Sequence, residues 1–171
     1  MRFVAICWVV WVSSVVAAEA PLPAAWHGDW AGTLTIRPTN GKEVTVPMEL
    51  SIKPTADAGA LTWQIVYGAG ERKQVRDYEI KAGAKAGQLV IDEKNGVLIP
   101  ARLSKQTLHS QFKVQGNLIY ARYELREGAL HFEITTFDAN QPIVNKVNNT
   151  EIAVEAFTIT NTQSAELKPR K

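Results

Sequence analysis

Cysteine is nearly missing from this chain: Cys7 is the only one in 171 residues. It lies within an apolar run, Phe3 to Val12, that follows Met1-Arg2 and leads into Ser13-Ser14-Val15-Val16-Ala17-Ala18. A basic start, a short apolar stretch and small residues at its end read as a cleavable secretory signal, with cleavage expected near Ala18. The run falls short of the roughly 20 residues that span a bilayer, and no basic stop follows it. Cys7 sits inside that run, with no room before it for the apolar segment a lipid anchor needs. Cleavage would leave 153 residues, a length suited to one domain, without a thiol. That excludes a disulfide scaffold, thiol catalysis and Cys-ligated metals, so stability must come from a core.

An excess of either charge is also missing. The 19 Lys and Arg face 17 Asp and Glu, and 18 face 17 once Arg2 is removed with the signal. The charges are interspersed, which argues against a nucleic-acid surface and against electrostatic membrane docking. No later apolar run is long enough to span a bilayer, so the cleaved protein is expected to be secreted or periplasmic, without stable membrane insertion. Catalytic signatures are sparse. There is no Gly-x-Ser-x-Gly elbow, and Gly68-Ala69-Gly70 lacks the helix that a phosphate loop requires. His27, His109 and His131 are scattered, with no His-x-His pair for zinc, and no metal or cofactor is expected.

What the sequence does contain is alternation. Val44, Val46, Met48, Leu50 and Ile52 form one parity, and Glu43, Thr45, Glu49, Ser51 and Lys53 form the other, as in a strand with one dry face. Further strands are predicted from about Trp30, over Leu61–Tyr67, Arg72–Lys81, Gln88–Glu93, Val97–Leu103, Leu108–Val114, Leu118–Arg126, Ala129–Phe137 and Glu151–Thr160. Glu19 to Ala25 reads as a surface lead-in and Asp138 to Thr150 as an irregular polar segment. Asn95 and Gly96 suggest a type I′ hairpin turn, a stronger reading of Asp92-Glu93-Lys94-Asn95-Gly96 than a calcium loop. These signals predict an all-β chain, an antiparallel up-and-down barrel of about 8–10 strands, with an open sandwich as the alternative. The divisions are a signal peptide over 1–18, a barrel over 19–160 and a polar tail over 161–171.

Gly28-Asp29-Trp30 opens the first strand of this meander. A Gly-x-Trp step there, in an exported chain of this size, resembles the lipocalin or calycin superfamily. The resemblance implies that Trp30 packs across the closed end of the barrel, with a late-strand cation such as Arg126 or Lys168 covering it. It also implies that Gly28 and Trp30 are structural and that the interior holds a small molecule. Gly28 is expected to allow a close backbone approach.

Arg76 and Tyr78 are predicted on an inner face, where a guanidinium and a phenol can orient a mostly apolar ligand. The same residues also fit a solvated edge strand. Trp63, Tyr67, Phe112, Tyr120 and Phe132 are expected as inner-wall aromatics, serving a core or a pocket equally well. His131 and Glu133 share a parity and can meet as an acid–base pair, although exposed residues on a solvated face are the stronger reading of the two. The expected function is non-catalytic binding of a small, largely apolar molecule. The alternatives are a structural or protein-interaction module with a filled core, and an exported hydrolase or isomerase using Arg76, Tyr78, His131 and Glu133.

Overall fold

The computed structural model describes residues 20–170, so the expected signal peptide lies outside the described residues. Ten strands follow one another: β1 (Gly28–Pro38), β2 (Val44–Ile52), β3 (Ala60–Tyr67), β4 (Gln74–Ala82), β5 (Gln88–Asp92), β6 (Leu98–Ser104), β7 (Thr107–Val114), β8 (Asn117–Arg126), β9 (Ala129–Lys146) and β10 (Ala153–Pro169). Each pairs antiparallel with its neighbours in the chain, and β1 pairs with β10 to close an up-and-down barrel. Among the described residues the only helical pieces are two short 3₁₀ turns, Ala24–Trp26 and Gly70–Arg72. The period-two pattern is the cause. Each strand turns one parity into a shared core and leaves the other in water, and closure pairs the first strand with the last.

The base of the barrel is plugged. Trp30 is buried, and its indole N–H donates to the Trp26 carbonyl at 3.0 Å. Leu22 and Trp26, each 1 % exposed, complete the plug. The segment predicted as a surface lead-in therefore enters the core, because the Ala24–Trp26 turn swings Trp26 back beneath the strands. Each indole removes about 150–250 Å² from water, an upper bound of roughly 4–6 kcal/mol. Neither expected cation covers Trp30. Arg126 pairs with Glu124 at 3.3 Å, and Lys168 pairs with Glu166 at 3.5 Å, both on the outer surface.

Close backbone approach occurs at Gly32, not at Gly28. A Cβ on Gly32 would collide with the Glu166 carbonyl of β10, whereas one on Gly28 would meet open space. Gly28 is required instead for its φ of +138°. The Asn95-Gly96 tip is likewise not a type I′ turn. Positive φ falls on Lys94 and Gly96 rather than on Asn95, and a wider loop is closed by Glu93 N–H donating to the Val97 carbonyl at 3.0 Å. The Asp92 carboxylate fixes this loop by accepting from Lys94 N–H at 2.8 Å. Paired left-handed residues appear instead at Gln115-Gly116 and Glu127-Gly128, each a two-residue hairpin.

The largest departure from expectation is at the chain's end. The predicted polar tail is the second half of β10. Asn161 to Pro169 pair with Pro38 to Trp30 and close the barrel. Ala165 and Leu167 point inward, while Ser164, Glu166 and Lys168 point out. The predicted irregular segment is also strand. β9 runs on to Lys146, and Pro142 falls between Asp138 and Ile143, where the register against β10 slips. Beyond Ala139, whose N–H still reaches the Gly116 carbonyl at 2.8 Å, the β9–β10 pair leaves its neighbours and projects as a two-stranded arm. On one face of that arm Ile143, Val147, Ile152 and Val154 are each at least 45 % exposed.

Candidate functional site

Rising from the base, the inner wall changes character. Leu50, Ile52, Leu61, Ile80, Leu130 and Leu167 form a dry lower layer. Above them three rings fill the centre. Trp63 meets Tyr123 edge-on at 4.9 Å, and Tyr123 meets Phe132 at 5.0 Å. Trp63 and Phe132 are fully buried there as packing, so the interior is occupied at mid-height.

The mouth is built differently. The β3–β4 register sets Trp63 opposite Tyr78, Ile65 opposite Arg76 and Tyr67 opposite Gln74, which puts Tyr67, Arg76 and Tyr78 on the inner parity of the upper wall. Tyr67, Tyr78 and Phe112 pack against the core while partly open to solvent, and Arg76 is exposed at the rim. Burial, assisted by the nearby Tyr78 phenol, pushes the Tyr67 phenol up to about 12 despite Arg76. Burial also raises Tyr78, and the Glu93 carboxylate adds to this. Tyr123 is raised well above the ordinary range, chiefly by burial. All three phenols therefore stay protonated at neutral pH and act as hydrogen-bond donors rather than bases.

Asn161 and Gln163 of β10, with Thr136 of β9, complete the upper wall. The Asn161 Oδ1 atom is buried without a hydrogen-bond partner, the only such side-chain atom found among the described residues. An orphaned acceptor on an inner wall is a place for a donor from outside. The stretch carries no apolar alternation at Asn161 and Gln163, so it reads as a polar tail in the sequence. Extending the parity of Leu167 and Ala165 back through Gln163 leads directly to Asn161.

Tyr120 is not an interior residue. It opposes Gln111 and Thr135 on the outer parity of β8, next to the buried inward Ala121. Its hydroxyl lies 2.7 Å from His109 Nδ1 on the outside of the wall. The acid–base set does not assemble either. Arg76 and Tyr78 are on the inner face, whereas His131 and Glu133 are on the outer one, beside Arg126 and Arg122 respectively. Asp92 is held by Lys81 at 2.7 Å, which lowers its pKa together with the Lys94 N–H. Asn95 caps its own loop through Val97 N–H at 3.0 Å. No group of three or more His, Cys, Asp or Glu stands close enough to hold a metal among the described residues.

Fold and wall together define a closed, ten-stranded, antiparallel up-and-down β-barrel with a plugged base and a polar-aromatic mouth. No family model and no curated protein matches the chain. Among solved structures, the barrel is similar to a crystal structure of a protein of unknown function from the DUF3598 family of Nostoc punctiforme PCC 73102, with a TM-score of 0.57 and 14 % identity. The match covers 91 % of this chain and 52 % of that one, so this chain spans about half the length of that neighbour. The likeness is one of fold.

Proposed function

We propose that the protein is an exported, non-catalytic, calycin-like barrel that binds one small, largely apolar molecule at its mouth. The observation that carries this reading is the Asn161 Oδ1 acceptor, buried and unpaired on the inner wall above a filled centre. The partly open aromatics Tyr67, Tyr78 and Phe112 would supply the apolar contact, and Asn161 would accept a hydrogen bond from the ligand. Packing of Trp63, Tyr123 and Phe132 fills the centre, which supports a site in the upper half rather than a deep one. The apolar run and small residues before Glu19 support export.

Native mass spectrometry of protein purified from its source tests the reading, together with thermal shift against fatty acids and aromatic compounds. The expected result is a bound species, or a rise in Tm that Phe112→Ala abolishes. Ligand at 100 times its Kd should stabilise by about 2.7 kcal/mol. Recovery of apo protein alone, with no compound raising Tm, overturns it.

One observation favours a second reading, that of a protein-interaction module. The exposed aliphatic face of the β9–β10 arm is apolar surface on a ribbon with two free edges. Replacing Ile143, Ile152 and Val154 by Ser should leave ligand binding intact under the first reading, and should abolish the biological activity under the second.

A further inference from the structure

The outer wall carries a second site, separate from the mouth. β6 and β7 are in register only from Ala101/Ser110 to Ser104/Thr107. Beyond that point β6 stays with β5 as far as Leu98, and β7 stays with β8 as far as Val114. Pro100 stands where the strands part, and it has no N–H to offer β7. At the edge of this parting, across the outer face of β5 to β8, lies a cleft of about 540 Å³ whose lining includes Gln88, Val90, Pro100, Arg102, His109 and Tyr120. That volume falls within the range of small-molecule sites.

Its polar groups are all donors or neutral, and no carboxylate lines it. Arg102 faces Gln88 on one side and His109 on the other across the strands. Among the described residues Arg102 makes no ion pair or side-chain hydrogen bond, unlike Arg122 on the same outer row, which holds Glu124 at 2.8 Å and Glu133 at 3.2 Å. His109 and Tyr120 stack at 6.0 Å between centroids, joined by the 2.7 Å contact at Nδ1. A neutral imidazole that accepts the Tyr120 hydroxyl at Nδ1 carries its proton on Nε2 and can donate from there into the cleft. Val90 and Pro100 supply the apolar part of the lining.

We propose that this cleft binds a small organic carboxylate. The planar Arg102 guanidinium takes the carboxylate with two parallel N–H donors, His109 and Gln88 add donors at its flank, and Val90 with Pro100 contacts the ligand's apolar body. Arg102 is exposed, so its substitution leaves the core untouched.

Titration of the purified protein with benzoate, followed by amide NMR, tests the proposal. Saturable shifts are expected at Gln88, Arg102, His109 and Gln111. Arg102→Gln should weaken binding about tenfold or more, and Arg102→Lys should weaken it nearly as much, because a point charge lacks the fork. Asn161→Leu at the mouth should leave benzoate binding unchanged. The proposal is overturned if shifts do not saturate, if Arg102→Gln binds as the parent does, or if inorganic phosphate gives the same pattern at the same affinity.

Discussion

At the base of the barrel, Leu22 and Trp26 are 1 % exposed, and the Trp30 N–H is paired with the Trp26 carbonyl. At the mouth, the same sheet presents Tyr67, Tyr78 and Phe112 partly to solvent, and the upper wall of β10 carries a buried carboxamide oxygen, on Asn161, without a hydrogen-bond partner among the described residues. The base is closed by side chains that leave no polar group over. The mouth retains aromatic rings that are only partly covered and one buried acceptor, Asn161 Oδ1, left unpaired among the described residues. Burial at the base holds the barrel together, and incomplete burial at the mouth leaves groups available for recognition.

The contrast breaks most sharply through large-to-small substitutions. Trp26→Ala, Trp30→Ala and Trp63→Ala should each destabilise by about 3–5 kcal/mol in urea melts, whereas Phe112→Ala at the mouth should cost roughly half that. Equal losses at both ends would erase the distinction. If Trp30→Ala folds with unchanged stability, the plug is misassigned.

Alkaline titration gives the next largest effect. Folding holds the Tyr67 phenol near 12, above its ordinary value of about 10 in an unfolded chain. The stability this contributes is fully present below pH 10 and is lost as pH rises through about 12. Tyrosinate absorbance should show a late step that Tyr67→Phe removes, and that variant should resist alkaline unfolding better than the parent. Gly32→Ala should cost about 1–3 kcal/mol by pushing β1 from β10, seen as a lower urea midpoint.

The smallest effect concerns the orphan acceptor. Asn161→Leu replaces an unsatisfied buried oxygen with hydrocarbon, so the empty protein should gain up to about 1 kcal/mol while ligand stabilisation disappears. A loss of stability would mean that Asn161 already has a partner.

Most of the wall was legible in the sequence because alternation survives wherever the inner face is dry. β2 shows this in Val46, Met48, Leu50 and Ile52, all turned inward. Reading failed where the inner parity becomes polar, as at Asn161 and Gln163, since a strand lining a wet mouth resembles a tail. The outward placement of Tyr120 is not legible because an amphipathic ring suits either face, and its partner His109 comes from another strand. The base plug depended on Trp26, whose burial is set by a 3₁₀ turn with no periodic signal.

The seam between β1 and β10 also governs how the barrel is made. Its contacts join residues more than a hundred positions apart, such as Arg37 and Ser164, which lie 127 apart in sequence and 3.0 Å apart in space. Every other pairing is between consecutive strands, so hairpins can form locally and early, but closure must wait until the last strand is available. Until then β1 and β9 each expose an unpaired edge, and the slow, non-local closing step sets the interval during which nascent chains can pair with one another instead.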